Sequence, residues 1–186
     1  MGDLLSRLPD RFDHEGRIFP YLISGLFDPS DEIKTTVFEI IEALGELYEE
    51  TNEKELREVR QFGFKQEWMI GGLIKDSELV LPFPIMHRPR LGARMIVRQY
   101  VRRYINGIGR EVSDWIEDNA ARASDLLLYS IIYSEEYMVQ FMDKLFINMY
   151  RAILEQKSKK VCKNMPLCFK LMARYSLPKA YQILVI

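Results

Sequence analysis

Two histidines and two cysteines are the residues of this sequence that most often carry chemistry, and none stands at a catalytic or metal-binding spacing. His14 lies in a polar turn and His87 in a loop, and neither has a cysteine beside it. An isolated histidine of this kind is usually a surface residue rather than a base or a ligand. Cys162 and Cys168 are six residues apart, not at the C-x-x-C spacing of redox and zinc motifs, so we expect small core residues there.

Phosphate-binding loops and paired catalytic carboxylates are also missing from the sequence pattern. Gly107 and Gly109 lack both the third glycine and the preceding strand of a dinucleotide-binding loop. Acidic pairs such as Glu135 and Glu136 fall at helix starts, where a carboxylate stabilises the positive end of the helix. We therefore predict no catalytic residue, no metal and no cofactor; a Ser/His/Asp arrangement assembled by the fold is not suggested by anything in the sequence.

One long stretch in the middle of the chain contains seven arginines and no acidic residue. Arg94, Arg98 and Arg102 follow one another at four-residue steps, and Arg103 adjoins them. Because guanidinium groups form forked hydrogen bonds with carboxylates, this line predicts a groove for an acidic protein segment. The alternative is a solvated helix flank whose arginines pair with an acidic neighbouring helix. Trp115, near a helix start, is either an interface anchor or a packed residue; these five residues are our candidates for partner binding.

Helical periodicity dominates the sequence and must position these side chains. Apolar residues recur at helical spacing on both sides of a short acidic turn, which predicts helices over 17–27 and 31–50. Ser30 is expected to cap the second helix. Gly45 inside that helix costs about 1 kcal/mol relative to alanine, and such a small residue indicates the close approach of a neighbouring helix.

Four further helices are predicted, over 91–106, 113–133, 136–154 and 158–175. Ser113 and Ser134 are expected to cap two of them. Asn106 and Gly107 are expected to end the helix before the first of these caps. Pro166 is expected to kink or break the last helix.

The helices fall into three pairs, which predicts an all-α fold of the α-solenoid type, with antiparallel helix pairs as in HEAT or armadillo superhelices. The pairs are 17–27 with 31–50, 91–106 with 113–133, and 136–154 with 158–175, and they recur at the period of roughly 40–47 residues that such repeats have. We expect one HEAT-repeat domain over 1–186. Its parts are repeats over about 1–60, a loop insertion over 61–90, repeats over 91–175, and a truncated helix start over 176–186.

Composition narrows the class of function. Lysine and arginine number 26 against 27 acidic residues, and the formal net charge is -1, which argues against a general nucleic-acid or membrane-surface binder. No apolar run reaches the roughly 20 residues that a membrane-spanning helix needs. With two cysteines and no disulfide pattern, we expect a cytoplasmic protein with reduced thiols.

The order of several segments resembles the later repeats of the HEAT-repeat dynein axonemal assembly factors. The turn from Leu26 to Lys34 resembles the turn inside a HEAT repeat, with an aspartate after the first helix and an aliphatic and a basic residue opening the second. The longer segments that carry the resemblance are Leu4–Phe12, Arg17–Leu26, Arg88–Arg94, Glu111–Trp115, Arg122–Leu127 and Tyr133–Gln140. Their order and spacing match over about 4–154, and the chain then corresponds to a fragment of a longer protein.

This resemblance implies a cytoplasmic scaffold without enzymatic activity that helps to preassemble outer and inner dynein arms for cilia or flagella. The implied partners are axonemal dynein chains, including intermediate chain, and other assembly factors or chaperones. An alternative is a general HEAT-repeat adaptor for transport or trafficking that binds acidic segments through the arginine line. An RNA-binding helical repeat would rest on the same arginines and on Lys157, Lys159 and Lys160, and it is disfavoured by the near-neutral charge.

Overall fold

The computed structural model describes residues 11–57, 81–155 and 158–176, and these residues form helices and no strand. The main helices are α1 (Arg11–Ser24), α2 (Asp31–Thr51), α3 (Leu91–Glu111), α4 (Glu117–Ser134), α5 (Met142–Glu155) and α6 (Lys159–Tyr175), with 3-10 helices at Gly25–Phe27 and Glu135–Phe141. The predicted all-α class is confirmed. Within the described ranges, no helix has the length and apolar character needed to cross a bilayer.

The chain divides into two compact units, Met1–Tyr100 and Val101–Ile186, so α3 contributes residues to both. In the first unit, α1 and α2 pack together with the short 3-10 helix between them. α1 begins at Arg11, earlier than predicted, and Pro20 lies inside it. The side chains that α1, the 3-10 helix and α2 bury at helical spacing are Phe19, Leu22, Ile23, Leu26, Ile41 and Leu44.

The turn before α2 is held by an aspartate and not by the predicted serine cap. The Oδ1 atom of Asp28 accepts the backbone N–H of Ser30 at 2.9 Å, whereas the Ser30 hydroxyl makes no capping hydrogen bond. A short acidic side chain that bonds two residues ahead is an alternative way to close such a turn. Asp31 and Glu32 lie in the first turn of α2, as predicted, where the helix dipole favours negative charge.

Gly45 of α2 lies against the start of α3, which confirms the predicted close approach. A Cβ atom added at Gly45 would lie 2.5 Å from the backbone nitrogen of Ala93 and 2.9 Å from its Cβ. A Cβ atom added at Gly92 would overlap the carbonyl oxygen of Gly45. The two helices therefore meet backbone to backbone, which only residues without a side chain permit.

Carboxylates of α2 also bind the start of α3. Glu49 Oε1 accepts the N–H of Gly92 at 2.8 Å, and the Glu42 carboxylate accepts the N–H of Arg90 at 3.2 Å. The Arg90 guanidinium pairs in turn with Glu46 and Glu49, both at 3.2 Å. Because the first N–H groups of a helix lack partners within it and carry partial positive charge, these carboxylates satisfy them. Two alternatives were given above for the arginine-rich stretch. Arg90 fits the second of them, in which arginines pair with an acidic neighbouring helix.

In the second unit, α4 packs along α6, and α5 also contacts α6. A buried polar cluster joins α4 to α6: Asn164 Nδ2 donates to Asp125 Oδ1 at 2.8 Å and to Ser124 Oγ at 3.0 Å. Lys160 forms an ion pair with the same aspartate. This cluster satisfies buried polar groups that would otherwise oppose folding. The methionine-rich face of the following segment is core, as predicted, and its buried members are Met138, Met142 and Met149.

Two predictions for the turn between α3 and α4 are wrong, namely the residues that end α3 and the serine that caps α4. α3 continues through Asn106 and Gly107 to Glu111, because a glycine that keeps a helical φ weakens a helix without ending it. α4 begins at Glu117, not at Ser113. The local hydrogen bond comes from Asp114, whose Oδ1 accepts the N–H of Ile116 at 3.0 Å.

Two later boundaries also differ. Ser134 ends α4 and does not cap α5, since the 3-10 helix Glu135–Phe141 separates them. α6 runs without a break past Pro166, which lies between the buried Met165 and Cys168. A proline inside a helix removes one backbone hydrogen bond, and the residues before and after Pro166 stay helical here.

The predicted domain organisation stays a prediction. Most of the predicted loop insertion, 61–80, and the end of the chain, 177–186, lie outside the described residues. Residues 81–90 contain neither helix nor strand, and the side chain of Ile85 is buried.

Candidate protein-binding surface

The predicted arginine line changes from buried to exposed along α3. Arg94 is only 7% exposed, and its Nε donates to the carbonyl oxygen of Pro89 at 3.0 Å. Arg98 is half-buried, whereas Arg102 and Arg103 are exposed. Arg94 therefore has a structural contact at the start of α3 and does not lie on an accessible surface.

The physical reason is the period of the helix. Residues four apart are separated by about 400°, so each step turns the side chain by about 40° around the axis. Over the two steps from Arg94 to Arg102, the line rotates by about 80°, away from the core. Arg94 and Arg98 belong to the first compact unit, and Arg102 and Arg103 to the second. A role of these arginines in partner binding stays a prediction.

Trp115 is exposed and not packed. It lies in the turn between α3 and α4 and exposes 81% of its surface. The turn itself is ordered by backbone bonds from Ser113 to Arg110 at 3.2 Å and from Asp114 to Glu111 at 3.0 Å. Of the two alternatives for this tryptophan, the structure therefore excludes the packed core residue, and its role as an interface anchor stays a prediction.

Sequence reasoning missed a ridge of apolar side chains on the outside of α5. Ile147, Tyr150 and Leu154 are exposed by 64%, 60% and 63%. Their spacing of three and four residues puts them on one face of the helix. The signal was present in the sequence, because α5 carries apolar residues at helical spacing on two faces and only one of these faces can be buried against α6.

The cysteine, tyrosine and histidine side chains described next are packed against neighbouring residues or lie at the surface. Cys168 is buried, and burial raises the pKa of its thiol, while Cys162 is half-exposed. Burial raises the pKa of Tyr104 to about 12, and its hydroxyl lies 3.5 Å from that of Ser130. The ring of His87 packs edge-on against a phenylalanine of α2. Within the described ranges, no three His, Cys, Asp or Glu side chains converge to hold a metal ion.

Comparison with known proteins agrees with this helical, repeat-like construction. Residues 81–186, more than half of the chain, match the family described as "Dynein axonemal assembly factor 5, HEAT-repeat domain". Residues 1–59 match a second family, described as "Dynein axonemal assembly factor 5-like, TPR repeats". HEAT and TPR repeats are both built from helix pairs.

The chain is thus a HEAT-repeat protein, and the match fits the predicted α-solenoid class. It belongs to the family of dynein axonemal assembly factor 5, which confirms the resemblance seen in the sequence.

Full-length relatives share low identity over most of this chain. Dynein axonemal assembly factor 5 of Xenopus laevis is 24% identical over 162 residues, which is 87% of this chain and 18% of that protein. The Mus musculus protein is 22% identical over 158 residues, or 84% of this chain and 17% of its own length. The Homo sapiens protein is 20% identical over 158 residues, with 85% and 17% covered. This chain therefore spans less than a fifth of each relative, and no solved structure matches it.

Proposed function

We propose that this chain is part of a non-enzymatic protein-binding scaffold for the cytoplasmic preassembly of axonemal dynein arms, outer and inner. The observation that carries the proposal is the family match over residues 81–186. The names of the relatives indicate the process, and repeats of helix pairs supply an extended surface of the kind that binds other proteins.

The proposed partners are axonemal dynein chains, with intermediate chain foremost, together with other assembly factors or chaperones. Because the chain spans less than a fifth of its relatives, it would supply one part of the binding surface. Within the chain, Arg102, Arg103 and Trp115 are exposed and offer charged and aromatic contacts to a partner.

The test is depletion of the protein in ciliating cells, followed by electron microscopy of axoneme cross-sections and by measurement of assembled dynein complexes in the cytosol. The proposal predicts that depleted cells lack dynein arms and accumulate unassembled intermediate chain. Re-expression of the wild-type gene should restore the arms and the assembled complexes. Intact arms after complete depletion would refute it. Capture of the full-length protein from the same cytosol would then show whether dynein chains are among its partners.

A second candidate is a general HEAT-repeat adaptor for transport or trafficking that binds acidic protein segments. It is favoured by the exposure of Arg102 and Arg103. The two candidates separate in the depletion experiment, because an adaptor of this kind would leave the dynein arms in place.

A further inference from the structure

Helices α5 and α6 form an antiparallel pair in the second unit. They pack against each other, and only residues 156–158 join them, so the chain reverses its direction between them. The rings of Phe146 and Phe169 meet edge to face with their centroids 5.0 Å apart. Phe146 lies nine residues before the end of α5, and Phe169 lies ten residues after the start of α6. The connection and the aromatic contact together fix the register of the pair.

The aromatic contact separates the core side of α5 from its exposed side. Each residue turns about 100° around a helix axis. Counted from Phe146 along the chain, the exposed Tyr150 and Ile147 lie at about 40° and 100°. The exposed Leu154 lies between them at about 80°, whereas the buried Met149 lies at about 60° in the opposite direction. One side of the contact therefore faces the core, and the other faces solvent.

Helix α6 divides in the same way. Counted from Phe169, the half-exposed Cys162 and the exposed Pro166 lie at about 20° and 60°, and the buried Met165 lies at about 40° in the opposite direction. Because the helices are antiparallel, equal angles counted along each chain open onto the same side of the pair. The exposed apolar residues of both helices therefore share one surface. We call this surface the α5–α6 strip, which comprises Ile147, Tyr150, Leu154, Cys162, Pro166 and Phe169.

Four exposed cations border the strip in two pairs. On α5, Arg151 and Lys144 lie at about 140° and 160° from the aromatic contact. On α6, Lys170 and Lys163 lie at about 100° and 120°. In the register of the pair, Lys144 and Lys170 are level to within about 2 Å along the axis. Arg151 and Lys163 are level to the same extent, about 10 Å or two helical turns further along.

These cations have no partner within the described ranges, and acidic residues are scarce around them. None of the four forms an ion pair there. The stretch 142–175 contains eight basic and two acidic residues, although the formal net charge of the chain is -1. The two acidic residues, Asp143 and Glu155, lie at the start and the end of α5. The strip is thus an apolar surface between two cationic borders.

We infer that the α5–α6 strip is a docking site for an amphipathic helix of a partner protein that carries acidic residues on both sides of its apolar stripe. The apolar stripe of this helix would lie along the strip. Its carboxylates, two turns apart on each side, would meet the two pairs of cations. The inference rests on the proposed function only in that the chain binds protein.

The charges favour this occupant over others. A second copy of the chain would place the same cations against one another. Residues 177–186 contain one lysine and no acidic residue, so they would leave the borders uncompensated. A nucleic acid has no aliphatic groups to cover the apolar strip. A bilayer surface is flat, whereas Cys162 and Phe169 are only half-exposed between exposed neighbours, which makes the α6 side a recess that the side chains of a helix can enter.

The test is fluorescence anisotropy with the 186-residue chain and a synthetic helical peptide. The probe has leucine along one face and glutamate at seven-residue intervals on both sides of that face, and acetyl and amide groups block its ends. Two control peptides have lysine in place of glutamate, or the same composition in scrambled order. We expect saturable binding of the acidic amphipathic probe alone, weakened by added salt because exposed charges are screened.

Matched variants locate the charged borders. The border variant Arg151→Glu with Lys163→Glu should weaken binding about tenfold, because it replaces one attractive contact on each side by a repulsive one. The control variant Arg17→Glu with Lys54→Glu changes the total charge equally at exposed positions of the first compact unit, and should change affinity less than about twofold. Circular dichroism verifies that both variants keep the helical fold.

The apolar part of the strip has its own pair of variants. Ile147→Ser should weaken binding severalfold without changing its salt dependence, because it removes an apolar contact and no charge. Tyr21→Ser, at an exposed position of α1, is the control and should leave affinity unchanged.

Cys162 reports on the strip without any substitution. It lies within the strip and is half-exposed, whereas Cys168 is buried. Saturating probe should therefore slow the reaction of Cys162 with a thiol reagent severalfold, since a bound helix would cover it. The lysine and scrambled peptides should leave that rate unchanged.

Several results would overturn the inference. These are a probe that does not bind, a control peptide that binds as well, a control variant that loses as much affinity as the border variant, and an unchanged rate of Cys162 modification at saturating probe. Vesicles of phosphatidylserine and phosphatidylcholine that displace the probe would also overturn it, in favour of a membrane-surface site. Because no dynein is present in these assays, their failure leaves the depletion experiment for the proposed function unaffected.

Discussion

Replacing Gly45 with alanine is expected to destabilise the protein, although alanine normally stabilises a helix. At an open helical position, glycine to alanine gains about 1 kcal/mol. At Gly45 the new Cβ would lie 2.5 Å from the backbone nitrogen of Ala93 and 2.9 Å from its Cβ. Non-bonded carbon atoms are most stable about 3.5–4.0 Å apart. A backbone atom, unlike a side chain, cannot rotate away from the new Cβ atom. The start of α3 would therefore have to move by about 1 Å.

Such a displacement would lower the free energy of unfolding, because it weakens a hydrogen bond at the start of α3. It would lengthen the 2.8 Å hydrogen bond between the Gly92 N–H and the Glu49 carboxylate beyond useful range. A hydrogen bond to a charged group contributes about 1.5–3 kcal/mol, and overpacking costs about 1–3 kcal/mol. Since partial relaxation lowers both costs, we expect the free energy of unfolding to fall by about 2 kcal/mol after the helix-propensity gain is subtracted.

The assay is urea unfolding followed by far-ultraviolet circular dichroism, with Gly107→Ala as the matched control. Gly107 also lies inside a helix, but a Cβ atom there would meet nothing within 4 Å. Its replacement should raise the free energy of unfolding by about 1 kcal/mol. The two substitutions should thus have opposite signs. If Gly45→Ala stabilised the protein as much as Gly107→Ala, the argument for a backbone contact between α2 and α3 would be refuted.

Three further predictions concern other described residues. Asp125→Ala should lower the free energy of unfolding by about 2 kcal/mol because it leaves buried polar partners unsatisfied, and Lys160→Met by less than about 1 kcal/mol because that lysine is half-exposed. A thiol reagent should modify the half-exposed Cys162 in the native protein and the buried Cys168 only on unfolding. Burial raises the pKa of Glu42, so the stability that this group contributes is present at low pH and is lost as pH rises through the raised pKa; Glu42→Gln should flatten this part of the pH dependence.

Each of these has a clear contrary result. Equal losses from Asp125→Ala and Lys160→Met in urea unfolding would mean that the exposed ion pair, not the buried hydrogen bonds, contributes the stability. Mass spectrometry that finds Cys168 modified as fast as Cys162 would contradict its burial. An unchanged pH dependence of the unfolding midpoint in Glu42→Gln would show that other groups cause it.

Much of the local structure followed from residue pattern, and the errors have a common origin. Ser30, Ser113 and Ser134 all had the residue type of a helix cap, yet none makes the expected capping bond at the start of a helix. At two of these turns an aspartate nearby provides the hydrogen bond, through Asp28 and Asp114. Several nearby side chains compete for the same backbone N–H groups, and sequence pattern does not say which one wins.

The candidate surface was only partly accessible to sequence reasoning. The arginine-rich stretch was evident, but Arg94 is buried at the start of α3 while Arg103 is exposed. Trp115 is equally compatible with packing and exposure as a residue type, and only the coordinates show that it is exposed.

The sequence by itself determined the helical class, the family and the close approach at Gly45, because these depend on periodicity, on segment order and on the absence of one side chain. The tertiary structure alone decided which arginines reach solvent, that Trp115 is exposed, and that α5 exposes an apolar ridge. The physical reason is that burial depends on what packs against each face of a helix. That neighbour comes from elsewhere in the chain, and no local pattern specifies it.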